Sequence, residues 1–331
     1  MMLNIAIVGM GNIGNTHARC YQKIPTTKIV AVCDIIKDRA DKAAQAYGAQ
    51  PFYSVAEMLA GALRIDAASM CTRGEENGGD HYKPTMELLE AGIPTLGEKP
   101  ISNKLDEARQ MVALGRKKNV PYAINLNHRF TPAAKRAKDW LDGGRLGELN
   151  ILNITMWINN RTETSPHFHM RALHPHSLDI CRYFAGDVTK VQAFFKKGKG
   201  RTIWSNVQLN LLFKNGVIGH LTGSYDAGGS YGLETLELVG SEGRVVINEA
   251  CQKLWFHPRR SVEVERFDNL GGMTEFNQTF GSRIAAWVDD LVKKTPPDQI
   301  DGKAEDGLKV QTIIEAAIES WDKGQVVALE V

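Results

Sequence analysis

Glu98-Lys99-Pro100 brings a carboxylate, an ammonium and a rigid ring together directly after Gly97. The triplet follows a short apolar run, Ile93 to Leu96, and precedes a helical pattern. It therefore falls at the carboxyl end of an expected parallel strand, where open α/β sheets place their ligands. A lysine at such a place can hydrogen-bond a substrate hydroxyl and stabilise developing alkoxide charge, which favours departure of hydride. Glu98 would orient that ammonium and Pro100 would fix the bend; the plain alternative is a surface turn.

A second concentration of chemistry is His167-Phe168-His169 with His174-Pro175-His176, four of the nine histidines within a short span. Imidazole is a good zinc ligand, but no cysteine and no H-x-x-x-H with a helical glutamate accompanies these residues, so no metal is expected. The preferred reading makes one histidine a general base near neutral pH and leaves others to hydrogen-bond a polyol. His176 and Asp179 share a face of an expected helix. Asp179 either orients the imidazole, contacts substrate, or is a first-turn acid favoured by the helix dipole. Asn127-His128-Arg129-Phe130 follows a strand near the expected domain junction, with Asn127 on the cofactor side or Arg129 holding the domains together; spacing does not separate these roles.

The elements that must position these groups begin at the first residues. Asn4 to Val8 reads as a buried parallel strand, followed at once by Gly9-Met10-Gly11-Asn12-Ile13-Gly14, a helix over Ile13 to Lys23, and a strand over Ile29 to Cys33. Asp34 stands about 20 residues after Gly14, as a dinucleotide fingerprint requires. Gly9 allows the tight turn, Gly11 lets the backbone approach a pyrophosphate, Gly14 permits close helix packing, and the helix amino terminus supplies donors. Asp34 should accept from ribose hydroxyls and repel a 2′-phosphate, which favours NAD over NADP. Lys37 and Arg39 are near enough to soften that preference, or are simply exposed helix charges.

Alternation continues with helices over Lys37 to Tyr47 and Val55 to Ala60, a strand over Ile65 to Cys71, a helix over Tyr82 to Ala91, a helix over Leu105 to Lys118 and a strand over Tyr122 to Asn125. Such alternation predicts a doubly wound parallel sheet. The loop Thr72 to His81 is either a cofactor or substrate flap or an ordinary surface loop.

Beyond residue 149 the pattern changes to strands: Leu149 to Trp157, Val188 to Phe195, Asn206 to Phe213, Val217 to Tyr225, Leu233 to Val239, Arg244 to Ile247, Lys253 to Phe256 and Val262 to Phe267, with one helix, His174 to Phe184. Period-two alternation in Val207-Gln208-Leu209-Asn210-Leu211 and Val262-Glu263-Val264-Glu265 leaves one sheet face polar or lightly covered. A second, mostly antiparallel domain with a self-association surface is expected. Phe276, Phe280, Ile284, Trp287, Val288 and Leu291 form one helical face; Leu308, Ile314, Ile318 and Trp321 form another; Val326 to Val331 is a last strand. The domains are expected at 1–125, binding NAD, and 126–331, binding substrate and partner subunits, with the closing helices and last strand packing back on the first.

A chain of 331 residues is long for one core. Lys plus Arg number 40 against 38 Asp plus Glu, and no basic run points to nucleic acid; Lys196 to Arg201 reads as a solvated hairpin turn. No apolar run approaches the ~20 residues of a membrane span. No signal peptide is read at Met1-Met2-Leu3, and the scattered Cys20, Cys33, Cys71, Cys181 and Cys251 fit a reducing cytoplasm.

Taken together, Gly9 to Gly14, Asp34, Glu98-Lys99-Pro100, Arg129-Phe130 and His176-x-x-Asp179 resemble the glucose-fructose oxidoreductase and inositol dehydrogenase family, Gfo/Idh/MocA, over essentially the whole chain. The resemblance implies a Rossmann domain, a carboxy-terminal α/β domain with a broad open sheet, dimers or tetramers through that sheet, and oxidation of a sugar or cyclitol secondary hydroxyl. It implies a cis Lys99–Pro100 peptide and places Lys99 and His176 at the reacting hydroxyl. Expected cofactor contacts are Gly9, Met10, Gly11, Asn12, Ile13, Asp34, Ile35, Thr72, Arg73, His81, Glu98, Lys99 and Asn127. Expected substrate contacts are Lys99, His169, Arg171, His174, His176 and Asp179. One departure is Ala172, where the family commonly carries an aspartate; His174 or His169 are the local replacements, and inositol itself becomes a poorer fit. An NAD-dependent glycosidase of the same fold, acting by transient oxidation and elimination, and a non-catalytic NAD or sugar binder are the rival readings.

Overall fold

Ile5, Ala6 and Ile7 are fully buried in succession, which marks β1 (Leu3–Val8) as the centre of a sheet covered on both faces. The computed structural model describes residues 2–227, 233–249, 252–262, 264–268 and 277–330. The chain divides into two units, Met1–Leu126 with Phe280–Gln311 and Asn127–Thr279 with Thr312–Val331.

In the first unit, β1 is followed by α1 (Asn12–Gln22), β2 (Thr27–Cys33), α2 (Lys37–Tyr47), β3 (Gln50–Phe52), α3 (Val55–Ala60), β4 (Ala67–Met70), α4 (Tyr82–Glu90), β5 (Thr95–Gly97), α5 (Leu105–Lys118) and β6 (Tyr122–Ile124). All strand pairs are parallel, in the order β3-β2-β1-β4-β5-β6. The order reverses between β1 and β4, and the crevice at their carboxyl ends is where this topology receives a ligand. Strand β3, too short and too polar to show in the sequence pattern, is an addition, and the strand expected over Ile65 to Cys71 contracts to β4.

The second unit holds α6 (Pro132–Asp142), β7 (Leu149–Trp157), α7 (Phe168–Ala185), β8 (Val188–Lys196), β9 (Asn206–Phe213), β10 (Ile218–Ser224), β11 (Glu234–Gly240), β12 (Gly243–Asn248), β13 (Lys253–Pro258) and β14 (Glu265–Phe267). With the final β15 (Val327–Ala328) these form a nine-stranded sheet, β14-β13-β12-β11-β7-β10-β9-β8-β15, antiparallel except where β7 meets β10. Leu209, Leu211 and Leu221 are buried on one face while Ile151, Phe194 and Ile218 are exposed. Helix α6 is an addition to the elements expected from the sequence; Thr131 caps it by accepting from Ala134 N–H and Pro132 opens it. Helix α7 begins at Phe168 rather than His174: Pro175 removes one N–H donor inside it, but nearly every residue on both sides is buried, so packing carries the helix through. Asp179 is consequently mid-helix, and the first-turn reading falls away. Arg201 is also not solvated; it is buried against Glu163, Asp226 and the Asn160 carbonyl.

Two helices close the chain, α8 (Gln278–Lys293) and α9 (Ala304–Lys323). Ile284, Trp287 and Val288 enter the first unit's core beside Leu3, Ile5 and Tyr21. Arg283, fully buried, donates to the carbonyls of Ile124 and Gly302. Cys251, Glu263, Phe276 and Val331 lie outside the described residues. Among the described residues no helix is long and apolar enough to cross a membrane, and no three His, Cys, Asp or Glu side chains are grouped to hold a metal ion.

Candidate active site

The first unit's crevice is a cleft of about 410 Å³ whose lining includes Gly9, Gly11, Asp34, Ile35, Thr72 and Arg73. Gly9 has φ +91° and a Cβ there would lie 2.6 Å from Thr72 N, while a Cβ on Gly14 would lie 1.9 Å from the Gly9 carbonyl oxygen. Those two glycines serve the protein's own packing. Gly11 differs: a Cβ there meets no protein atom within 4 Å, so the space before the amino terminus of α1 is open. Open N–H donors at that terminus suit a phosphate. Asp34 is buried, accepts from the N–H groups of Met10 and Ile36 at 2.8 Å each, and keeps lone pairs for ribose hydroxyls. Ile35 beside it is 87% exposed, an apolar ledge suited to a base. Arg39 lines the same cleft, and Lys37 lies over the Tyr53 ring. These features fit a dinucleotide.

The loop after β4 is tied rather than loose. Thr72 Oγ1 donates to the Asp80 carbonyl at 2.7 Å, and the His81 ring bridges the carbonyls of Pro100 and Thr72 at 2.8 and 3.0 Å.

Lys99 follows β5 after Glu98 and is joined to Pro100 by a cis peptide. Loss of water pulls its pKa down from the usual lysine value and the Glu98 charge opposes that pull. Glu98 is buried; burial alone would raise its carboxyl, but a hydrogen bond and charge from His17, with Lys99 and Asn125, hold it below the usual range. Its Oε1 lies 3.0 Å from His17 Nε2 and 2.6 Å from Asn125 Nδ2. An ionised carboxylate only accepts, so His17 Nε2 carries a proton. His17 Nδ1 lies 3.1 Å from Ser69 Oγ, which in turn lies 2.9 Å from the Tyr21 hydroxyl. Tyr21, Ser69, His17 and Glu98 thus form one continuous chain of hydrogen bonds leading to the carboxylate next to Lys99. His17 escaped notice in the sequence; its signal is a polar residue in the otherwise apolar stripe Gly14, His17, Ala18, Tyr21 of α1.

In the second unit, His176 on α7 is 6% exposed and its ring stacks on His128. His169 and His174 are fully buried, Nε2 to Nε2 at 3.1 Å, with His174 Nδ1 against Ser177 Oγ. Burial lowers the His169 pKa to about 3 and takes His174 well below the usual histidine value. The two rings make a buried pair next to Ala172 in the chain. Asp179 is held by Arg129 through Nε at 2.8 Å and through Nη2, so Arg129 is paired within its own unit. Arg171 grips Glu315 with two bonds of 2.8 and 2.9 Å. Asn127 donates to Thr279 at 2.6 Å. The sequence pattern had given Glu234 no role; it lies buried at the start of β11 with His128 on its carboxylate.

Residues 3–126 match a family model described as "Oxidoreductase family, NAD-binding Rossmann fold", and residues 134–246 match the "GFO/IDH/MocA C-terminal domain". The chain is similar to a myo-inositol 2-dehydrogenase of Thermotoga maritima, 23% identical over 99% of both proteins. It is also similar to a D-apiose dehydrogenase of Paraburkholderia graminis, 26% identical over 77% of this chain and 69% of the relative. Levoglucosan dehydrogenase in complex with NADH shares its fold, with a TM-score of 0.89 at 18% identity over 100% of both chains. Both halves are matched, in order, by models of one family, and the cleft and glycine turn have the form that a dinucleotide needs; the chain belongs to the Gfo/Idh/MocA family of NAD-binding oxidoreductases.

Proposed function

We propose that the protein is an NAD-dependent dehydrogenase that reversibly oxidises a secondary hydroxyl of a sugar, glycoside or cyclitol. The observation that carries this reading is Lys99, an ammonium with lowered pKa at the carboxyl end of β5, anchored through Glu98 to the helix that opens the dinucleotide cleft. Relatives that act on D-apiose, inositol and levoglucosan by their names support the substrate class. When bound, NAD supplies the acceptor for the hydride lost by the carbinol carbon. Gly9 to Ile13, Asp34, Ile35, Thr72 and Arg73 would hold it. His176 accepts the hydroxyl proton, and the Lys99 ammonium stabilises the negative charge that grows on that oxygen.

In the same proposal residues 1–125 bind NAD, and 126–331 bind substrate and associate with a second copy through the outer sheet face that exposes Phe194 and Ile218. The free thiols of Cys20, Cys33, Cys71 and Cys181 support a cytoplasmic setting. The test is absorbance of reduced nicotinamide across a panel of sugars, glycosides and cyclitols. Tight NAD binding with no turnover on any of them would count against the proposal.

A further inference from the structure

We propose that Glu234 and His128 are positioning residues for His176, setting a buried negative charge against the face of its ring so that the ring takes up a proton more readily. The inference rests on the reading of His176 as the proton acceptor. The two imidazoles lie nearly parallel, 5° apart in plane, with centroids 4.5 Å apart. His128 Nδ1 stands 3.0 and 3.1 Å from the two oxygens of Glu234. An ionised carboxylate accepts and cannot donate, so Nδ1 carries a proton and the Glu234 carboxylate sets its negative charge behind that ring. His128 and Glu234 are 1% and 2% exposed, and solvent screens such a charge weakly.

The consequence for His176 follows from the stack. Two facing imidazolium rings would repel, so the arrangement supports one positive charge shared against one carboxylate. The three groups come from three separate elements: the turn Asn127–Phe130, β11 and α7. Among the other charged groups on those elements, Arg129 pairs with Asp179, Arg171 with Glu315, Arg182 with Asp187 and Glu237 with Arg244. The buried His169 and His174 have depressed pKa values, and beside burial, the Glu234 and Asp179 charges push the Cys181 thiol up. Glu234 on β11 and Asp179 on α7 are thus two carboxylates whose charges act within α7.

The test is the titration of the His176 ring by NMR in the full chain without cofactor, its resonance identified by loss in His176→Asn. In Glu234→Gln the midpoint should fall by about one pH unit, the scale of removing one nearby opposite charge. The acidic limb of kcat/KM should move by the same amount while NAD affinity stays unchanged. Partial return of both in Glu234→Asp would support the same conclusion. If Glu234→Gln does not fold, Glu234→Met, an apolar filler of similar volume, is read by the same criterion. A His176 midpoint that is the same with and without the carboxylate overturns the inference. Turnover of His176→Asn tests the base assignment separately, and the titration stands whatever that result.

Discussion

His17 Nε2 donates to the Glu98 carboxylate across 3.0 Å, which anchors the acid beside Lys99 to the helix that opens the cofactor cleft. The charge on Glu98 raises the Lys99 pKa against burial. Glu98→Gln removes it, so the ammonium becomes easier to deprotonate. The alkaline limb of kcat should move to lower pH by about one unit or more. A pH profile that superposes on the wild type would remove Glu98 from this role.

Gly11 and Gly14 should respond in opposite ways to alanine. The Gly14 methyl would sit 1.9 Å from the Gly9 carbonyl oxygen, so Gly14→Ala forces the turn apart and should cost about 1–3 kcal/mol or more of stability. The Gly11 methyl meets no protein atom, so Gly11→Ala should melt near the wild-type temperature but bind NAD at least about tenfold more weakly, because the methyl occupies the phosphate's approach. Thermal melts paired with NAD titration by calorimetry separate the two effects.

Asp179 and Arg129 are a buried charge pair, 1% and 5% exposed at their side chains. Asp179→Ala leaves the guanidinium buried without its carboxylate and should lower unfolding free energy by about 3–5 kcal/mol. Asp179→Asn keeps an acceptor and should cost less. Urea denaturation gives both values, and a loss below about 1 kcal/mol for alanine would contradict the assigned role.

The interior histidines make stability sensitive to acid. The folded pKa of His169, about 3, lies below its ordinary value of 6.5, so the unfolded chain binds the proton more readily. Its contribution is complete above pH 6.5 and is lost as the pH falls toward about 3. At pH 5 the loss from this one group is about 2 kcal/mol. Urea unfolding at pH 7.5 and pH 5.0 should show that difference shrinking by about this amount in His169→Asn; an unchanged difference would refute it.

Much of this arrangement was legible in the sequence because it depends on local rules. The glycine turn, the acid at Asp34 and the strand–helix alternation each follow from steric or periodic constraints a few residues wide, and helices such as Lys37–Tyr47 and Leu105–Lys118 match their expected bounds. What escaped depends on pairing across the fold. His17 meets Glu98 over 81 positions and His128 meets Glu234 over 106. Asp179 and Arg171 stood out as site candidates because charge is conspicuous in sequence, but no spacing rule connects them to Arg129 and Glu315, which engage them. The segment around Pro175 misled for the opposite reason: a local breaker was overruled by burial of the whole helix.

The buried Arg283 carries a consequence for the order in which the molecule is made. Its guanidinium joins Ile124 to Gly302, and Ile284, Trp287 and Val288 from the same helix complete the core around β1. A ribosome delivers the dinucleotide-binding strands first and these residues late, with eight strands of the nine-stranded sheet synthesised between them. The nascent first unit therefore emerges with an apolar surface that only the chain's own late helices can cover, and a gene fragment ending at residue 126 should yield an insoluble product. Dinucleotide binding by the first unit is therefore expected only once α8 has been synthesised.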